Sequence, residues 1–334
     1  MKEEEIRPKK IFNEFLKLAK EDIEEYFSDK SDFVHINCPA CNRNDTSFEF
    51  EKDGFNYVKC NNCGTLYVNP RPSKEAIRNF YSHSRSTKYF AEHFYKETEK
   101  QRREKIYKPR AFMIWDFIGK GRKTNTFADI GAGYGTFLDE VKKLGLAKTI
   151  LAIEPSRDLA AILKNKGFEI IQLPIEECGG VLRNKLNFAT SFELLDHVFS
   201  PEKFFSSTWE ILADDGYFIF TALNINGFDL QMLWDKSKTI SPPNHLNFLN
   251  LDSAKILLKR CGFKIVKAFT PGELDVDIVR NTCSEQNIEV SRFVKLLINS
   301  DEATRANFQS FLRENNLSSH MCFITQKSTR CFVP

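Results

Sequence analysis

Four of the nine cysteines fall in two pairs, Cys38-Pro39-Ala40-Cys41 and Cys60-Asn61-Asn62-Cys63, with eighteen residues between the pairs. Each C-x2-C can turn two thiolates toward one tetrahedral ion at about 2.3 Å per sulfur, the spacing of a zinc ribbon. Four sulfurs leave no open coordination position. The expected metal is therefore a structural zinc ion replacing a core that so short a segment cannot build; a redox pair is the alternative. His35 is surplus to four ligands. Cys178, Cys261, Cys283, Cys322 and Cys331 have no adjacent base and read as ordinary thiols.

A second cluster is Asp129-Ile130-Gly131-Ala132-Gly133-Tyr134-Gly135, placed where a strand should give way to a helix. Glycines there accept positive φ and let the backbone approach a ligand, while the following helix start offers unpaired N–H groups. Thr136 follows Gly135, so the dinucleotide spacing G-x-G-x-x-G is not met. Glu154 ends the next strand, 25 positions after Asp129. A carboxylate at that point can accept both ribose hydroxyls of an adenosine.

These groups need a frame, and the periodicity supplies one. Residues 9–27 carry an amphipathic helical repeat of Ile11, Phe12, Phe15, Leu16, Leu18, Ile23 and Phe27. Cysteine pairs, turn residues and short β-type runs at 48–50, 57–59 and 66–68 follow, closing at Pro70-Arg71-Pro72. Residues 73–118 are helical and aromatic; Tyr81, Tyr89 and Tyr95 either close over a ligand or pack in a core. Strands at 126–130, 149–153, 168–173, 188–192 and 217–221 alternate with helices, which indicates right-handed crossovers and a parallel sheet covered on both faces. The 31 phenylalanines mostly occupy periodic positions and read as core.

The stretch from Asp129 to Gly135, with Glu154 in Ala152-Ile153-Glu154-Pro155-Ser156, resembles the cofactor site of class I S-adenosylmethionine-dependent methyltransferases. Ser191-Phe192-Glu193-Leu194-Leu195-Asp196-His197-Val198 is similar to that family's segment after its fourth strand, often written Glu-His where this chain has Asp196-His197. Leu212 to Phe218 looks like the turn into its fifth strand. Pro243 to Phe248 and Leu257 to Phe263 resemble later segments of its small-molecule branch. The resemblance spans roughly 105–270 and implies an α/β, Rossmann-like sheet in the order 3-2-1-4-5-7-6. Residues 321–326 would be the seventh strand, and 271–317 a helical insertion before it. It further implies S-adenosylmethionine as cofactor, held by Gly131, Gly133, Gly135 and Glu154, with Asp129 fixing the loop or reaching the methionine moiety, Ile175 and Glu176 in the adenine region, and Phe192 and Leu194 walling the adenine or the acceptor. The expected domains are an N-terminal helix (1–30), the zinc ribbon (31–72), a helical connector or lid (73–120) and the methyltransferase domain (121–334).

Methyl transfer is governed by geometry, but a hydroxyl acceptor must also lose a proton, for which histidine is well tuned. His245, in the loop after the fifth strand, is the preferred base over His197 after the fourth; His197 can instead be structural or cofactor-side. Asp196 either orients His197 or caps a helix. His83 and His93 read as surface residues. The ribbon followed by Phe80-Tyr81 resembles bacterial methyltransferases of sugars and cell-surface glycans, so the expected acceptor is a nucleotide-linked sugar or a glycan precursor. The larger second lobe of sugar C-methyltransferases has no counterpart in the 65 residues after Phe269.

RNA or quinone-type methylation is the enzymatic alternative, and a partner-binding scaffold the non-enzymatic one. Residues 96–110 hold seven basic and three acidic side chains, but a net charge of +3 does not favour nucleic acid. The Asn-Pro-Pro-Tyr sequence of amino-methylating DNA enzymes is missing. A charged start without an apolar run, and no membrane-length apolar stretch, lead to an expected cytoplasmic location.

Overall fold

The computed structural model describes residues 1–328, so Cys331 lies outside the described residues. The cysteine segment forms strands β1 (Thr46–Lys52), β2 (Phe55–Cys60) and β3 (Leu66–Val68). Strands β4 (Thr124–Ile130), β5 (Ala147–Ile153), β6 (Glu169–Ile171), β7 (Leu186–Phe192) and β8 (Leu212–Leu223) alternate with helices, and β9 (Asn247–Phe248), β10 (Phe263–Phe269) and β11 (His320–Lys327) follow.

Seven strands make one sheet in the order β6-β5-β4-β7-β8-β11-β10. Counted from β4 and leaving β9 aside, this is 3-2-1-4-5-7-6, as the resemblance implies. The pairs β4–β5, β4–β7, β5–β6 and β7–β8 are parallel, while β11 runs antiparallel to both β8 and β10. Phe127 through Ile130 are all buried because helices cover both faces of the central strand. Side chains of β8 alternate between the two cores: Phe218 and Phe220 meet Phe205 and Phe263 on one face, and Ile219 joins Phe127 and Phe188 on the other.

A second, antiparallel sheet runs β1-β2-β3-β9. Asp53 and Gly54, both at positive φ, close the β1–β2 hairpin in the sense that matches strand twist. Its fourth strand, β9, comes from the loop after β8, with Leu66 opposite Phe248. The ribbon is thus stitched to the larger domain rather than tethered beside it. Arg71 fastens the seam: fully buried, it donates to the carbonyls of Val68, Phe199 and Leu246 and to Asn247 Oδ1. Phe27 of the N-terminal helix, Phe80 of the connector and Phe248 share a third core there.

The helix Lys9–Phe27 spans the expected residues. The connector begins at Ser73, whose side chain accepts from the Ala76 amide, and continues to Ile118, where Gly119 ends it at φ 98°. Two stretches, Phe90–Tyr95 and Arg103–Tyr107, widen to π-helical turns. Between β10 and β11 lie helices Asp275–Gln286, Arg292–Ile298 and Glu302–Glu314, the expected insertion.

Candidate active site and metal centre

The four paired cysteines converge, their sulfurs all within 4.8 Å of one another. Cys38 Sγ lies 3.5 Å from Cys63 Sγ, and Cys41 Sγ 3.5 Å from Cys60 Sγ. Tetrahedral bonds of about 2.3 Å require sulfurs slightly under 4 Å apart, so this donor set fits a zinc ion. The knuckle amides of Ala40 and Cys41 point at the Cys38 sulfur, and those of Asn62 and Cys63 at the Cys60 sulfur, favouring thiolate. His35 is exposed and outside the cluster.

The glycine turn sits at the carboxyl end of β4. Gly131, Gly133 and Gly135 all adopt positive φ. A Cβ on Gly135 would stand 2.6 Å from Leu163 Cδ2, so helix packing demands glycine there, whereas the space beside Gly133 is open. The Glu154 carboxylate faces this opening: Oε2 accepts from the Gly133 amide at 3.0 Å and Oε1 from Ser156 at 2.9 Å. Burial raises its pKa against those two amides. A buried carboxylate without a cationic partner among the described residues, beside open glycine backbone, fits a ribose-bearing cofactor. Asp129 is buried, accepts from Thr190 Oγ1 at 2.7 Å, and is pushed up to about 7 by desolvation. Ile175 is buried in the turn after β6, with Glu176 half-buried beside it.

The segment after β7 has two sides. Leu194 leans on the glycine turn, where a Gly131 Cβ would come within 2.9 Å of it. Glu193 and His197 instead line a cavity of about 810 Å³ whose walls include Tyr81, Phe94, Arg110 and His245. His197 and His245 pack with ring centroids 4.7 Å apart. His245 Nδ1 lies 2.5 Å from the Thr239 carbonyl, which can only accept, so Nδ1 carries the proton and Nε2 is the basic nitrogen. Burial lowers His197 to about 4 and His245 to about 3, leaving both rings neutral at pH 7. His197 Nδ1 is 3.1 Å from Tyr81 Oη.

Asp196 neither orients His197 nor caps a helix; its carboxylate accepts from the Leu223 amide and clamps the end of β8. Tyr95 stacks on Tyr134 of the glycine turn at 4.3 Å, and Tyr134 Oη donates to the Ala91 carbonyl, so the connector closes over that turn. Tyr89 instead packs on the exposed His93. His83 is exposed as well. Phe192 ends β7, edge-on to Phe137, with Arg110 stacked 4.6 Å from its ring centroid.

Sequence reasoning did not single out the cluster around Glu193. Its Oε1 accepts from Arg110 at 2.6 Å and Thr221 at 2.7 Å, and Oε2 lies 3.4 Å from His320 Nε2. Burial pushes this carboxylate up, but the charges of His320 and Arg110 and both hydrogen bonds outweigh it and hold Glu193 at about 2. Glu193 has φ 55°, an uncommon conformation for its type that turns the side chain into the cavity. Arg110 closes the basic stretch at 96–110, the available signal for it; nothing local marks His320.

No curated protein matches the chain. A family model described as ribosomal protein S27 matches residues 29–84, the ribbon and its flanks. Among solved structures, a SAM dependent methyltransferase from Archaeoglobus fulgidus is 16% identical, covering 70% of this chain and 100% of its own, with a TM-score of 0.47. An O-methyltransferase from a trans-AT PKS multienzyme of Brevibacillus brevis is 15% identical, covering 70% and 76%, with a TM-score of 0.47. A family model described as methyltransferase domain matches residues 99–268, half of the sequence. By that match the chain belongs to the methyltransferase-domain family.

Proposed function

We propose that the protein transfers a methyl group from S-adenosylmethionine to a small-molecule acceptor bound in the 810 Å³ cavity, a nucleotide-linked sugar or a cell-envelope glycan precursor. The observation that carries this reading is the position of the cavity. It lies beyond the carboxyl ends of β7 and β8, on the far side of Leu194 from the glycine turn, where ligands of open parallel sheets bind. When bound, S-adenosylmethionine supplies an electrophilic methyl carbon on a cationic sulfur.

The chain's own groups then divide the work. Glu154 accepts the ribose hydroxyls, the amides around Gly131, Gly133 and Gly135 approach the cofactor closely, and Ile175, Glu176 and Phe192 border the adenine region. Asp129 holds the turn through Thr190. His245 receives the acceptor's hydroxyl proton at Nε2, its other nitrogen fixed by Thr239. His197 braces that ring and is itself held by Tyr81. Aromatic walls suit a nucleobase, and a cavity of about 810 Å³ suits a small acceptor better than RNA. Zinc at Cys38, Cys41, Cys60 and Cys63 holds the ribbon and takes no part in the chemistry.

Calorimetry with S-adenosylmethionine, followed by turnover assays on nucleotide sugars, tests this. Binding and methyl transfer are expected. Absence of cofactor binding overturns the reading, and turnover only on RNA or a quinone replaces its acceptor half.

A further inference from the structure

The cavity is bordered by six basic side chains, and four of them are already neutralised. Lys105 pairs with Glu5 at 2.5 Å, Arg110 with Glu193 at 2.6 Å, Lys238 with Glu285 at 2.6 Å, and Arg313 with Glu273. Arg7 and Arg102 remain. Among the described residues neither has a carboxylate within ion-pair distance, yet the two are neighbours: Arg102 Nη2 donates to the carbonyl of Ile6 at 3.1 Å, one residue before Arg7.

The Arg102 guanidinium is held in place, and that of Arg7 sits near an aromatic ring. Arg102 Nε donates to Thr98 Oγ1 at 3.0 Å and its plane lies 5.3 Å from the Phe94 ring centroid; Arg7 lies 5.7 Å from that of Phe12. Burial lowers the Arg102 pKa, Tyr107 and Tyr95 oppose it, and the like charge of Arg7 adds to the lowering. The buried Asp229 feels Arg7 but is beyond ion-pair reach, and Glu314 is exposed at the rim. Two neighbouring cations without an ion-paired carboxylate among the described residues, beside the apolar wall of Phe12, Phe15, Phe90 and Phe94, ask for a ligand that carries more than one negative charge. A single carboxylate would neutralise only one of them; a phosphate presents oxygens to both forks.

We propose that Arg7 and Arg102 form the subsite for a phosphate or diphosphate group of the acceptor, with the acceptor's aromatic or apolar part lying along Phe12, Phe15, Phe90 and Phe94. This rests on the reading of the cavity as the acceptor site. It makes the N-terminal segment a part of substrate recognition as well as a packing element, and it assigns the acceptor to the phosphorylated small molecules.

The test is calorimetric titration of the full chain with inorganic pyrophosphate at fixed ionic strength, beside hexanoate and, separately, S-adenosylmethionine. Saturable pyrophosphate binding is expected, weakened about tenfold or more by Arg7→Gln and by Arg102→Gln, with cofactor affinity unchanged. No pyrophosphate binding, equal binding by the variants, or hexanoate binding as tightly as pyrophosphate overturns the subsite. Arg102 also ties down Ile6, so if Arg102→Gln fails to fold, Arg7→Gln alone decides. Loss of cofactor binding in the unmodified protein would instead strike the methyltransferase reading, while the pyrophosphate titration still reports on the arginines.

Discussion

His197 and His245 meet at a tilt of 64° with ring centroids 4.7 Å apart, two imidazoles from different loops that burial keeps uncharged. Their folded pKa values, about 4 and about 3, lie below the roughly 6.5 of an unfolded chain. Above pH 6.5 neither state is protonated and the pair leaves stability untouched. As pH falls below 6.5 the unfolded chain takes up protons that the native rings refuse, so stability drops until the folded values are reached, by up to about 1.4 kcal/mol per pH unit for each ring. Asp129 and Asp229, each raised to about 7 by burial, act with the opposite sign over part of that range. The decisive measurement is therefore a difference: urea unfolding between pH 7.5 and 4.5 for the native protein and for His245→Phe. The native protein should lose more stability toward low pH; parallel curves would show that His245 titrates normally.

Glu154 offers its two oxygens to the Gly133 and Ser156 amides, and the expected ribose contact uses the lone pairs that remain. Glu154→Gln keeps the size and one acceptor but removes the charge, so affinity for S-adenosylmethionine should fall by about 1.5–3 kcal/mol, the worth of hydrogen bonds to a charged group. Because burial raises this carboxyl's pKa, native affinity should also decline as the medium is acidified, while the glutamine variant stays flat. Titration calorimetry across pH reads both; a native curve as flat as the variant's would show that the ionised carboxylate is not the ribose partner.

The alternation of strands and helices was legible from local patterns, glycine at a strand end and periodic phenylalanines among them, while the strand order and the insertion came from the resemblance those motifs carry. The histidine pair was legible as two loop residues on one sheet edge, though not as rings in contact. What escaped has non-local causes. β9 is two residues long and exists only because β3, some 180 positions earlier in the chain, pairs with it. Arg71 read as part of a proline-flanked stop, and only the folded chain surrounds it with carbonyls. Glu193 lies in the segment after β7, but its partners Arg110 and His320 come from elements 83 and 127 residues away, which no spacing rule joins.

Cys60→Ser removes one of four sulfurs from the proposed zinc site and leaves the knuckle backbone intact. Metal content by native mass spectrometry should fall from one ion to none, and the amides of β1 and β2 should lose protection from exchange. The seven-stranded sheet should keep its own protection: one of its two cores holds none of the four cysteines, and the other, which Cys38 and Cys60 border, is built mainly from the sheet and its own helices. Chelation of the native protein should reproduce the same pattern reversibly. Retention of one ion in the serine variant would mean that a different ligand set holds it.

Tyr134 couples the glycine turn to the connector in two ways, stacking on Tyr95 and donating to the Ala91 carbonyl at 2.6 Å. Ala91 lies in the widened stretch Phe90–Tyr95, where the helix departs from its regular i to i+4 ladder. An outside donor is worth most at such a turn, because the local ladder no longer claims every carbonyl. Tyr134→Phe deletes the hydrogen bond alone and should cost about 0.5–1.5 kcal/mol; Tyr134→Ala removes the stack as well, with about 0.5–1.5 kcal/mol more. The loss should be local, since Tyr134 is half-buried and belongs to neither of the cores flanking the sheet. Hydrogen exchange should then quicken at amides 85–107 in the order native, phenylalanine, alanine, with β4 and β7 unchanged. Equal acceleration of the strands would place Tyr134 in the global fold instead of at a closure between connector and glycine turn.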